Sequence, residues 1–174
     1  MRKFTLALLV ILFATHLNAQ EKSFNNFDFG AGMGLNYGGF GFNLSVAPIP
    51  FISLEGFLGY NFLEPNVGGA VNIHVIPKNN TKTYNLALKS MYGYNTVLIT
   101  LDGDMDSKTF YGLSFGISNK LRFGSRKRSG LDLDLLIPIR SKEATDYYDE
   151  LVDNDYEMTP LSPIAISIGY HFEF

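Results

Sequence analysis

Apolar residues alternate with small or polar ones through nearly the whole chain beyond residue 26. In "FDFGAGMGLNY" at 27–37, Phe27, Phe29, Ala31, Met33, Leu35 and Tyr37 share one face, and Asp28, Gly30, Gly32, Gly34 and Asn36 share the other. The same period of two runs through 39–47, 52–62, 67–75, 84–92, 111–123, 131–140 and 164–174. Successive side chains of an extended strand point to opposite faces, so this pattern predicts eight half-apolar strands. They are about nine to thirteen residues long, longer than the five or six usual in soluble sheets and close to the 9–11 that a tilted membrane-crossing strand needs. The expected fold is all-β: an eight-stranded antiparallel up-and-down transmembrane β-barrel.

The connections support an up-and-down order. "PIP" at 48–50, "KNNTK" at 78–82 and "GSRKR" at 124–128 are short joins after even strands. After odd strands come a tight "YGG" at 37–39, a short "EPN" at 64–66, and longer pieces at about 93–108 and 141–161. Part of the first long piece, "TVLITL", could extend its neighbouring strand. Short turns at one end and longer loops at the other are the habit of membrane barrels.

Alternation does not say which face is inside, and side-chain volume decides it. An eight-stranded barrel encloses room for side chains or one small ligand. The face rich in Phe, Tyr, Leu and Ile is too bulky for that space, while most of the glycines sit on the opposite face. The apolar face is therefore expected outward, against lipid, with the small and charged residues inside. Buried charges must be paired, and the expected interior network is Glu55, Lys89, Lys120, Arg122, Asp132, Asp134, Arg140 and Glu173, with Asp28 on the same face of the first strand. Strands six and seven are neighbours, so Lys120 or Arg122 with Asp132 or Asp134 is the expected specific pair. Paired charges of this kind form a plug more readily than an open pore.

Residues 1–19 stand apart. Arg2 and Lys3 precede the apolar "FTLALLVILFA", and Ala19 supplies a small residue for cleavage, as in a secretory signal peptide. The apolar run is short for a helical membrane anchor. The chain has no cysteine, which excludes a lipidated signal, a disulfide framework and a Cys-ligated metal site. Residues 20–174 form the barrel domain. Without Arg2 and Lys3, the 14 basic residues fall to twelve against 17 acidic ones, a net charge near −5. With only the short basic run "RKR" at 126–128, this speaks against a nucleic-acid partner.

The signal segment, the eight alternating strands over 24–174 and the closing "ISIGYHFEF" with terminal Phe174 resemble the small outer-membrane β-barrel proteins of Gram-negative bacteria. The resemblance implies that Tyr170, Phe172 and Phe174 form the C-terminal signal read by the barrel assembly machinery. It also implies outer-membrane residence and contact with outer-membrane lipid and lipopolysaccharide. The chain departs from some relatives in lacking a following peptidoglycan-binding domain and in having fewer long loops, so a porin-like constriction loop is not expected. Oligomeric state is left open.

Some eight-stranded relatives modify lipid A with a His near the outer rim. Here His74 and His171 fall toward the other end of the barrel and face inward, as structural hydrogen-bonding groups, and no Ser-His-acid triad can be placed. The glycines of "GAGMGLNYGGFGF" precede no helix, so they are not a dinucleotide fingerprint. No cofactor is expected. The acidic stretch 143–157 reads as a solvated loop. Calcium is the alternative, although the spacing lacks the central glycine of an EF-hand. "DGDMD" at 102–106 is a weaker case of the same kind. The leading function is a non-enzymatic barrel with a structural or surface-binding role. The alternatives are a narrow channel for small solutes, a soluble periplasmic barrel that carries a hydrophobic ligand, and a lipid A-modifying enzyme.

Overall fold

Each of the eight alternating segments contributes one strand. In the computed structural model, which describes residues 25–100, 106–154, 156 and 158–174, eight strands form one closed antiparallel barrel in sequence order. They are β1 (Phe27–Gly34), β2 (Gly39–Ile49), β3 (Ile52–Tyr60), β4 (Pro65–His74), β5 (Tyr84–Leu98), β6 (Lys108–Phe123), β7 (Ser129–Pro138) and β8 (Ala165–Glu173). β8 returns to β1 with Asp28 opposite Glu173, Ala31 opposite Tyr170 and Met33 opposite Ile168, and this pairing leaves no sheet edge. The signal segment 1–19 lies outside the described residues, as does most of the 102–106 stretch.

The outer wall is almost wholly apolar. Phe42, Leu58, Val67, Leu88 and Ile166 are each more than half exposed, as are Tyr170 and Phe174. The inner wall carries the polar residues: Asp28, Glu55, Lys89, Arg122, Asp134 and Glu173 are all buried. This polarity is the inverse of a soluble barrel, in which the apolar face fills the core. Among the described residues no helix is long and apolar enough to cross a membrane, a statement that has no bearing on strands.

Three elements refine the sequence reading, and two of them depart from it. The tail of the first alternating segment is not strand. Leu35–Tyr37 form a single 3-10 turn whose residues are all buried. Tyr37, expected on the outer face, is fully enclosed. The turn reverses direction because Gly34, Gly38 and Gly39 adopt φ values of 119°, 66° and 101°, a region closed to most other residues.

At the long end one of these elements agrees with the possibility that "TVLITL" lengthens its neighbouring strand. β5 extends to Leu98, so "TVL" of the long connection is strand. The other departure is the acidic stretch, expected as a loop, much of which is helix α1 (Lys142–Asp153). The Ser141 side chain accepts the Ala144 N–H as an N-cap. Ala144, Tyr147 and Leu151 recur at helical spacing and pack on Leu98 and Phe110. The Phe110 and Tyr147 rings lie 5.9 Å apart, and the Lys108 ammonium sits 4.0 Å from the Tyr147 ring centre. The acids of the helix face water, so composition concealed an apolar stripe.

Closure through β1 and β8 has a direct chemical test, because the chain contains no cysteine. The double variant Ala31→Cys/Tyr170→Cys should form an intramolecular disulfide under mild oxidation, visible as a mobility change reversed by reductant. Ala31→Cys/His171→Cys, which sets one thiol outward and one inward, should not.

Candidate functional site: a charge-paired interior

Inward-facing residues meet in three clusters along the barrel axis. In the middle, the Lys89 ammonium from β5 contacts Glu55 of β3 at 3.1 Å and Asp134 of β7 at 2.8 Å. The amides of Asn43 and Asn72 donate to the same Glu55 carboxylate, at 3.4 and 3.3 Å. All three charged side chains are 1% exposed, so each depends on the others in place of water.

The second cluster centres on Asp132. Lys120 forms an ion pair with Asp28 and stands 3.7 Å from Asp132. His171 Nδ1 approaches the other Asp132 oxygen to 2.6 Å. The Tyr37 hydroxyl, reaching down from the inverted turn, donates to Asp132 Oδ2 at 2.9 Å.

The third cluster lies at the short-connection end. Arg122 donates through Nε and Nη2 to Glu173 Oε1, at 3.0 and 2.8 Å. Its Nη1 reaches the backbone carbonyls of Asn79 and Lys82, at 2.9 and 3.3 Å. That contact draws the β4–β5 connection across the mouth of the barrel. The Lys78 N–H bonds to Pro50 O at 2.8 Å, and the Asn25 N–H to the Asn80 side chain at 2.8 Å. The connection therefore bridges the segment just before β1, the β2–β3 turn and β6. The Lys78 ammonium is buried within it, and desolvation lowers its pKa, opposed by the nearby Glu173 carboxylate.

Seven of the eight network residues expected from the sequence are in these clusters. Arg140 is not. It lies beyond the end of β7, half exposed, and donates to Ser162 O. The alternation of strand seven was extended two residues too far, past Pro138, and so assigned Arg140 to a wall that had already ended. The expected pair between strands six and seven forms as Lys120 with Asp132, and the other charges find partners elsewhere. Arg122 pairs with Glu173, and Asp134 with Lys89. Lys120 does approach Asp132, its direct neighbour in the register, but its close partner is Asp28. Neighbouring strands are only one choice inside a narrow barrel, because a Lys side chain reaches past the adjacent strand to one beyond it.

Two rings inside the wall explain many of the glycines. A Cβ built on Gly32 would come within 2.8 Å of the Tyr37 ring, and one on Gly169 within 2.2 Å of its hydroxyl. Phe57, pointing inward from β3, fills a second notch: Cβ atoms on Gly68 and Gly93 would lie 2.2 and 2.6 Å from its ring. Phe57 packs with Leu35, Ala70, Met91, Tyr94 and Leu136. The interior therefore includes an apolar layer, and the glycines are sockets for rings as much as aids to curvature. The bracket of Gly34, Gly38 and Gly39 was the available sequence signal for the inverted turn.

His74 belongs to a hydrogen-bond chain. Its Nε2 is 3.0 Å from Ser53 Oγ, and its Nδ1 is 2.6 Å from Asn85 Oδ1. Asn85 Nδ2 donates to Ile76 O, which fixes the amide orientation and makes Nδ1 the protonated nitrogen. The order Ser–His–amide has the polarity of a nucleophile, base and orienting group. All three side chains are buried, and the chain ties β3, β4 and β5 together. Among the described residues no group of three His, Cys, Asp or Glu side chains is placed to hold a metal ion. The chain matches no family model, no curated protein and no solved structure.

Two substitutions test the interior. Lys89→Met leaves two buried carboxylates unanswered and should cost about 3–5 kcal/mol in equilibrium unfolding. Adding Glu55→Gln and Asp134→Asn should restore most of that loss. Tyr37→Phe removes a hydrogen bond to a carboxylate and should cost about 1.5–3 kcal/mol, with the barrel still closed.

Proposed function

We propose that this chain is a non-enzymatic outer-membrane β-barrel protein whose interior is plugged, with a structural or surface-binding role. The observation that carries the reading is the inverted polarity of the wall. An apolar belt runs around all eight strands, and the charged residues turn inward to one another. Water would not tolerate an exposed apolar surface of that extent on a monomer, whereas hydrocarbon requires both that surface and a sheet without edges. The signal-like segment at 1–19 and the aromatic closing strand accord with export and assembly. Tyr170 and Phe172 on β8, and Phe174 just beyond it, are all exposed, the arrangement needed if assembly machinery reads them from the membrane side.

Both chain ends of the barrel and the short connections would then face the periplasm. The β1–β2 turn, α1 and the long connections would face outward. The partners in this reading are outer-membrane lipid, lipopolysaccharide and the assembly machinery. A soluble carrier needs its aromatic face inside around a ligand, the opposite of the arrangement here. A channel needs a water path, and the Tyr37 turn from one end and the 78–82 connection from the other occupy that space.

Expression with residues 1–19 in a Gram-negative host, followed by membrane fractionation, tests the location. Recovery in the outer membrane and a boiling-dependent mobility shift on a gel are expected. A soluble periplasmic product without the shift would overturn the reading. In planar bilayers the purified barrel should add no discrete conductance steps. Steps from the unmodified chain would favour the narrow channel.

A further inference from the structure

The two ends of the barrel carry opposite charge. At the long-connection end, α1 alone holds five acids: Glu143, Asp146, Asp149, Glu150 and Asp153. At the short-connection end, residues 75–83 and 124–128 contain Lys78, Lys82, Arg126, Lys127 and Arg128 and no acid. These basic residues form one arc. Lys127 donates to Thr81 O and joins the β6–β7 turn to the β4–β5 connection, and Arg122 holds the same connection from inside. Lys82, Arg126 and Arg128 are exposed, and Lys127 is half buried. Glu173, the acid nearest this arc along β8, is already held by Arg122 and fully buried, so it does not neutralise the rim.

The apolar belt begins directly beside these cations. Tyr84 starts β5, Phe123 ends β6, and Phe172 and Phe174 close the chain, all with exposed rings. The Phe172 and Phe174 rings pack edge to face at 5.0 Å. We infer that this arc is a binding site for anionic phospholipid, with the phosphate groups on Lys82, Arg126, Lys127 and Arg128 and the acyl chains along the aromatic belt beneath. Exposed cations beside a hydrocarbon-facing wall attract an anionic lipid surface, by roughly fivefold in affinity for each basic residue close to it. Arg and Lys also bond phosphate oxygens directly. An acidic soluble partner would use the same charges but not the rings. Continuity with the belt favours lipid.

This inference rests on the membrane reading of the barrel, and the two can be separated. The mature chain is refolded into phosphatidylcholine bilayers and then into bilayers that also contain phosphatidylglycerol. Failure to insert into phosphatidylcholine would sink the membrane reading and the lipid site with it. With insertion secured, native mass spectrometry of detergent-extracted barrel measures retained lipid. Phosphatidylglycerol should be retained at least tenfold more tightly than phosphatidylcholine. The preference should vanish in Lys82→Gln/Arg126→Gln/Lys127→Gln/Arg128→Gln. Should that chain not fold, Lys82→Gln/Arg126→Gln/Arg128→Gln keeps the Lys127 contact and should lose most of the preference. Neutralising Lys108 and Lys142 at the other end should leave it unchanged. Equal retention of the two lipids, or a preference that survives the charge removal, overturns the site. Complete displacement by soluble glycerol phosphate would reduce it to a free-anion site. Tighter binding of polyglutamate than of lipid would assign the arc to an acidic protein instead.

Discussion

Charge enclosed in a narrow space is the constraint on which the rest of this barrel depends. Asp28, Glu55, Asp132, Asp134 and Glu173 share the interior with Lys89, Lys120 and Arg122, all of them buried. Each would be costly to enclose alone. The wall therefore has to place them so that every carboxylate meets a cation within reach. The register does this by setting acids on β1, β3, β7 and β8 against bases on β5 and β6. Most of the resulting contacts join strands that are not neighbours in the sheet, so they resist changes in register as well as opening of the barrel. Slipping one strand by a residue would turn its charges out to the apolar belt and its apolar residues in.

The ion pairs alone would leave space above and below them. The inverted turn fills the upper part with Leu35, Asn36 and Tyr37, and the apolar layer around Phe57 and Met91 packs beneath it. The Tyr37 hydroxyl then couples this cap to the Asp132 cluster, so the cap and the charged layers support one another. Glycine has a double part here. At Gly34 and Gly38 it permits the reversal, and at Gly32 and Gly169 it leaves room for the ring that the reversal brings in. At the opposite end, Arg122 is shared between Glu173 and two carbonyls of the β4–β5 connection. One guanidinium thus satisfies the interior and holds the closure over it.

The same economy organises the outside. Acids gather on α1 at one end and bases on the 78–82 and 126–128 segments at the other, with a belt of apolar side chains between. A barrel with this distribution has a defined direction along its axis, and each end offers a different surface to whatever surrounds it.

Eight strands, their order and the side of each that faces inward were all legible from period-two alternation and side-chain volume. These are local properties: extended backbone sends alternate residues to opposite faces, and eight strands enclose too little space for all the rings of the apolar face. The pairing of charges was not legible beyond the neighbours Lys120 and Asp132. Distance across a lumen depends on shear and tilt, which no single strand encodes. Tyr37 continued the outward pattern of its segment and was turned inward by backbone conformations at Gly34 and Gly38. Alternation cannot detect that reversal. Arg140 continued an inward pattern beyond the last residue of its strand, and α1 hid its apolar stripe among acids. The sequence by itself determined which residues share the inner face and which share the outer one. The tertiary structure alone decided which charge answers which, because closure brings together side chains that are far apart along the chain.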